Sequence, residues 1–248
     1  MPSSSRTAPR TVSKLRRRPQ QLPLALHTWG GRRPGAGRPK KPGSGPPHRS
    51  RASFASRYPV HVGLRVEAGL PSLRRTPSRR VLEACLREGK ERDGFRLVHY
   101  SIQHHHLHFI VEASGARSLS SGVKALCIRI ARRLNPLLER KGRVFAERYF
   151  ARVLKTPKEV RACLRYVLLN GQKHESQRGV GHFPQGALDA CSSARFFDGF
   201  RGRVPQSLDD NDAPVTQART YLLRKAWRVH GLISRADIPG LCSRSGAP

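Results

Sequence analysis

The run His104-His105-His106-Leu107-His108-Phe109-Ile110-Val111-Glu112 decides how this chain is read. Leu107, Phe109 and Val111 alternate with His106, His108 and Ile110, the period of a strand whose successive side chains leave opposite faces. His106 and His108 therefore share a face and can pinch one metal ion, while the apolar set turns to the core. His104 and His106 offer a second pairing. Polar His105 would then lie between the ligands and break the alternation into the core, so His106 and His108 are the stronger pair. Further along, Tyr166-Val167-Leu168-Leu169-Asn170 has helical spacing, and positions i and i+4 of a helix share a face, so Tyr166 and Asn170 are presented together. A phenol, two imidazoles and an amide are the parts of a metal-assisted attack on a phosphodiester.

The flanking sequence supplies the frame. Val60, Val62, Leu64 and Val66 alternate with His61, Gly63 and Arg65 as a half-buried strand. Residues 78–92 carry Val81, Leu82, Cys85 and Leu86 at helical spacing and stop at Gly94. Residues 95–103 form a strand that hairpins into 106–112. A basic helix over 119–141 places Val123, Leu126, Cys127, Ile130 and Leu134 on its inner stripe, and Pro136 kinks it or ends it early by removing a backbone donor. Residues 149–154 make another strand. Thr156-Pro157-Lys158-Glu159 opens the last helix, with a capping threonine, proline at the first helical position and glutamate placed for a capping box. The order strand, helix, strand, strand, helix, strand, helix predicts an α+β domain over 58–174. It is a ferredoxin-like split βαβ antiparallel sheet with an additional helix, the one that bears Tyr166.

Outside that domain the composition changes. The chain has 48 Lys plus Arg against 16 Asp plus Glu, a formal +32 over 248 residues. Such an excess of one sign points to a polyanionic partner, because basic residues release the counterions condensed on nucleic acid. No acidic residue precedes Glu67, and residues 1–50 hold nine prolines and six glycines. Residues 1–57 are therefore expected to be a disordered basic arm, unable to bury enough apolar surface to order itself. Within it Gly37-Arg38-Pro39-Lys40-Lys41 has the form of an AT-hook, so Arg38, Lys40 and Lys41 are candidate DNA contacts, with a generic electrostatic tether as the alternative. On the basic helix Lys124, Arg129, Arg132 and Arg133 are candidate phosphate contacts, the alternative being a solvated face. Tyr100 and Phe109 are candidates for base stacking, Phe109 having a core position as its rival. Glu112 is either an acid behind the histidines or a solvated strand end. Residues 175–248 form a loop-rich extension with a helix expected over 219–233.

Five dispersed cysteines without a C-x-x-C argue against a zinc site or a disulfide framework. No apolar stretch reaches the length of a membrane span and no signal peptide is evident, so a cytoplasmic, nucleoid-associated bacterial protein with no membrane partner is expected.

On these residues the stretch 58–174 resembles the single-tyrosine HUH transposases of the insertion-sequence and REP-associated type. The matching features are His106-Leu107-His108 with its apolar continuation, the basic helix after it, the turn Gly142, Val144, Phe145 with Arg148-Tyr149, and the Tyr166-to-Asn170 helix. The chain departs from the family in His105, where many relatives have asparagine. It departs again in Asn170, one methylene shorter than the usual glutamine, and in Pro136. The resemblance implies Tyr166 as nucleophile and His106, His108 and Asn170 as ligands of Mg2+ or Mn2+. It also implies single-stranded or hairpin DNA as substrate and a 5′-phosphotyrosine intermediate. Either a monomer or a homodimer is compatible with the sequence. Two other functions remain open at this point: a domesticated DNA-binding protein that keeps the fold without catalysis, and a metal-dependent nuclease that uses water.

Overall fold

The computed structural model describes residues 52–178, 187–202 and 212–237, with the backbone alone for 172–178. The AT-hook-like segment with Arg38, Lys40 and Lys41 lies outside the described residues, as does Cys242. Of the expected basic arm, residues 52–57 are described, and there Phe54 packs on the core.

Five antiparallel strands form one sheet in the order β2-β3-β4-β1-β5, where β1 is Val60–Arg65, β2 Glu91–Arg92, β3 Phe95–Ile102, β4 His106–Ala113 and β5 Phe150–Val153. Helices α1 (Thr76–Gly89) and α2 (Ala116–Leu137) follow β1 and β4, so β1-α1-β3 and β4-α2-β5 are the two interleaved crossovers of the ferredoxin-like arrangement. Their apolar stripes close one core on Val60, Val62, Leu64, Leu107, Phe109 and Val111. Helix α3 (Pro157–Arg178) covers the opposite face of the sheet, packing Val160, Leu164 and Val167 in a second core with Ile110 and Val98. With both faces covered, β4 is buried from Leu107 to Ala113.

Several details differ from the sequence expectation for physical reasons. Helix α1 stops at Gly89, because Asp93-Gly94 makes the two-residue turn of a β2–β3 hairpin, with Gly94 at φ +64°. A register shift between Leu97 and His99 lets Leu97 and Tyr100, three apart, both face the first core. Tyr100 and Phe109 are fully buried there and cannot stack bases. Gly122 of α2 is required by close packing, since a Cβ would lie 2.2 Å from the Phe95 ring. Helix α2 ends one residue past Pro136. The capping box of α3 forms as expected, with the Glu159 amide donating to Thr156 Oγ1 at 3.2 Å and the Thr156 amide donating to the Glu159 carboxylate at 3.1 Å. The four described cysteines are free; burial pushes the Cys127 and Cys163 thiols up to about 12 and Cys191 to about 11, so all three stay protonated.

The C-terminal extension packs onto α3. The helix expected over 219–233 is present as two short pieces, α4 (Tyr221–Arg224) and a 3-10 turn over Ala226–His230. Phe197, Phe200, Leu223, Trp227 and Ile233 cover the side of α3 turned from the sheet. Polar contacts fasten this layer. Glu112 is neither an acid behind the histidines nor a solvated strand end: its buried carboxylate accepts from the amides of Arg219 and Thr220 and from Thr220 Oγ1 at 2.7–3.0 Å. Arg161 donates to the Gly231 carbonyl at 2.9 Å, Arg165 pairs with Asp237, and Arg74 forms a bidentate pair with buried Asp189, both bonds 2.9 Å. Buried His99 sits beside Ser193 and edge-on to Phe197, and burial lowers its pKa to about 3. No helix among the described residues is long and apolar enough to cross a membrane.

Truncating Trp227 to Ala is expected to cost about 3–5 kcal/mol in urea unfolding, the range for emptying a buried aromatic site. Glu112→Gln should cost about 1–3 kcal/mol, because charge-assisted bonds to two amides become neutral ones. His99 is neutral in the folded state far below its unfolded pKa near 6.5, so stability should be full above that pH and fall as pH drops from about 6.5 toward 3. The loss is about 3 kcal/mol by pH 4, and His99→Asn should flatten that part of the stability profile.

Candidate active site

The register of three strands assembles a cluster on the α3 side of the sheet. Opposite His106 and His108 of β4 lie Arg65 and Gly63 of β1, and His61 lies opposite Ile110. On the other side of β1, Phe150 and Arg152 of β5 lie opposite Gly63 and His61. Side-chain alternation then turns His61, Arg65, His106, His108, Phe150 and Arg152 to one face. Helix α3 crosses this face and brings in Tyr166 and Asn170.

Distances define the cluster. The Tyr166 hydroxyl is 3.3 Å from His108 Nε2, and the other ring nitrogen of His108, Nδ1, is 3.3 Å from His61 Nε2. The His106 and His108 rings meet edge to face with centroids 4.8 Å apart, and Tyr166 stands edge-on to both His108 and His61. All of these groups belong to one chain. Burial holds the Tyr166 phenol above its ordinary pKa; the neighbouring Asn170 amide pulls partly the other way, and Cys163 adds to the rise. His61 is lowered to about 4, first by burial and then by the Arg152 guanidinium, so it is uncharged at neutral pH.

Asn170 is the anomaly of the site. It is fully buried, and its amide atoms make no hydrogen bond of full geometry, although the amide lies near enough to the Tyr166 hydroxyl to lower that group's pKa. An unsatisfied buried polar atom costs about 1–3 kcal/mol, so a leucine would serve packing better. Among the described residues no three of His, Cys, Asp and Glu gather closely enough to hold a metal ion. His106, His108 and Asn170 could offer a divalent cation two imidazoles and an amide oxygen, nitrogen donors that Mn2+ accepts more readily than Mg2+.

His104, the partner in the alternative pair, lies in the turn before β4 with its Nδ1 2.8 Å from Ser72 Oγ. The candidate phosphate contacts on α2 lie elsewhere too. Lys124, Arg129, Arg132 and Arg133 belong to the helix on the other face, so the sheet separates them from Tyr166. Arg129 and Arg133 pair with Glu88, the latter through two bonds of 2.7 and 2.8 Å. In their place stand His61, Arg65, Phe150 and Arg152, which the sequence reading passed over as site residues. The β1 alternation grouped His61 with Arg65, but which strands flank β1 is a tertiary property.

Residues 58–169 match the family model described as transposase IS200-like. No curated protein matches the chain. Among solved structures, a REP-associated tyrosine transposase bound to a REP hairpin aligns with 54% of this chain and 76% of its own at 14% identity and a TM-score of 0.43, too slight a likeness to support argument.

If Asn170 is retained for a cation, Asn170→Leu should raise the stability of the metal-free protein by about 1–3 kcal/mol and abolish the thermal shift that Mn2+ gives the wild type. Thermal unfolding with and without Mn2+ checks both, and an undiminished shift in the variant would remove Asn170 from the ligand set.

Proposed function

Since residues 58–169 belong to the IS200-like transposase family, a membership that implies DNA strand transfer, we propose that this chain cuts and rejoins single-stranded DNA through Tyr166. His106, His108 and Asn170 would hold Mg2+ or Mn2+. One observation carries the reading: a phenol on α3 and an imidazole on β4, far apart in sequence, meet at 3.3 Å at a part-buried position within one chain. A core-filling tyrosine has no need of two histidines and a buried amide beside it.

The chemistry follows from the groups present. The Tyr166 oxygen bonds to phosphorus in line with the leaving oxygen, the P–O3′ bond breaks, and the departing oxygen takes a proton to become a free 3′-hydroxyl. The product is a 5′-phosphotyrosine. Attack on it by another 3′-hydroxyl reverses the electron flow, restores the phenol and reseals a strand, so one phosphodiester is exchanged for another without nucleotide energy. Burial keeps the resting phenol protonated, which places proton loss, to water or to a neighbouring base, before or during attack. A cation on the histidine pair would withdraw charge from the phosphoryl oxygens and fix the phosphorus for attack.

The surroundings suit a single strand. Phe150 is 59% exposed beside His61 and offers a face on which an unpaired base can stack, flanked by Arg65 and by Arg152, the latter paired with Glu159 at 3.0 Å. Lys124 and Arg132 on the far side of the sheet would add sequence-independent phosphate contacts away from the break, and Arg38, Lys40 and Lys41 of the arm would add further contacts to DNA. One chain supplies nucleophile and ligands together, so the chemistry requires no second subunit.

With Mn2+ and single-stranded hairpin DNA, the wild type should form a protein–DNA adduct that survives denaturing electrophoresis. Tyr166→Phe should abolish it while DNA binding is kept. Cleavage without an adduct would indicate a hydrolytic nuclease, and binding without cleavage a DNA-binding descendant of the fold.

A further inference from the structure

One imidazole in the cluster has no part in the scheme above. His61 lies on β1, inside the sheet between β4 and β5, half-buried, with its ring edge-on to Phe150 and to Tyr166. Its Nε2 faces Nδ1 of His108, whereas Nε2 of His108 faces the Tyr166 hydroxyl. The two ring nitrogens of His108 thus look in opposite directions, one into the reaction pocket and one at His61.

A neutral imidazole has one ring proton. A nitrogen that holds a cation must present its lone pair, so His108 can act through Nε2 only when that proton sits on Nδ1. Ligating histidines commonly donate the other ring N–H to a fixed acceptor, which sets both tautomer and ring orientation. We propose that His61 is a positioning residue: its Nε2 accepts the Nδ1–H of His108 and thereby aims the His108 Nε2 lone pair at the pocket beneath Tyr166. The inference rests on the reading of His108 as a ligand. Direct ligation by His61 is disfavoured, because its Nε2 is turned toward the back of the His108 ring. It also explains why a central strand, whose alternate residues Val60, Val62 and Leu64 are buried in the core, carries a histidine at this position.

The test uses the full chain labelled with 15N-histidine. Nitrogen shifts of metal-free wild type should show His108 protonated on Nδ1; finding its proton on Nε2 would overturn the proposal whatever the variants do. Removal of the acceptor in His61→Ala should mix the tautomers and weaken Mn2+ binding, measured by calorimetry, by about 10–100-fold. His61→Gln, whose side-chain oxygen can accept the same proton, should recover most of that loss. Equal tautomer populations and equal affinity across the three proteins would overturn the idea. So would the disappearance of one Mn2+-coupled imidazole nitrogen from the electron spin-echo spectrum of His61→Ala, which would make His61 a ligand itself. A wild type that binds no Mn2+ would sink the parent reading, while the metal-free nitrogen shifts would still report on the His61–His108 bond.

Discussion

Strand β4 is covered on both faces, with Leu107, Phe109 and Val111 against α1 and α2 and Ile110 beneath α3, and the site depends on that covering. A one-residue slip of β4 against β1 would carry His106 and His108 into the first core and bring Leu107 and Phe109 to the pocket. Two imidazoles would then lose water without partners, a cost of several kcal/mol. The register that pairs Val62 with Phe109 and Gly63 with His108 is therefore enforced by burial, and the histidine face follows from it.

The second requirement is that Tyr166 stay over that face. A helix resting on a sheet through one stripe can shift along it, whereas α3 is gripped on two sides. The sheet holds Val160, Leu164 and Val167, and the extension closes over the outer side with Phe197, Leu223 and Trp227. Glu112 links the two layers, since it leaves the same strand as the histidines and accepts the amides that begin α4. The described residues of the extension thus contribute no side chain to the Tyr166 cluster described above, yet they set the position of the helix that does. Asn170, one turn beyond Tyr166, is held within the same clamp, which accounts for its full burial.

Charge is distributed by the same architecture. Much of the basic surplus in the described domain is not aimed at the pocket, since α2 turns its arginines away from it and Glu88 occupies Arg129 and Arg133. Beside the Tyr166 cluster stand Arg65 and Arg152, the latter held by Glu159, next to an exposed phenylalanine. Net charge therefore describes attraction to a polyanion in general, and local geometry describes where a scissile phosphate could rest.

Local periodicity made much of this legible. The alternation of 106–111 set the histidine pair on one face, the Thr156-to-Glu159 pattern located the start of α3, and i, i+4 spacing joined Tyr166 to Asn170, because each is a relation between near neighbours fixed by backbone geometry. The end of α1 at Gly89 lies earlier than the helical spacing suggests, because Gly94 serves with Asp93 as a hairpin turn and not as a helix stop. The basic residues of α2 read as phosphate contacts without a location, because a sequence does not say on which side of a sheet a helix will pack. His61, Phe150 and Arg152 became members of the site only through strand pairing between segments tens of residues apart, and Glu112 found its role only in the fold of the extension. The sequence by itself determined the strand and helix faces and the chemistry they carry, since those follow from dihedral angles within a few residues. Which faces meet was decided by tertiary structure, where burial of two separate cores selects one register and one layer order among the many that local geometry allows.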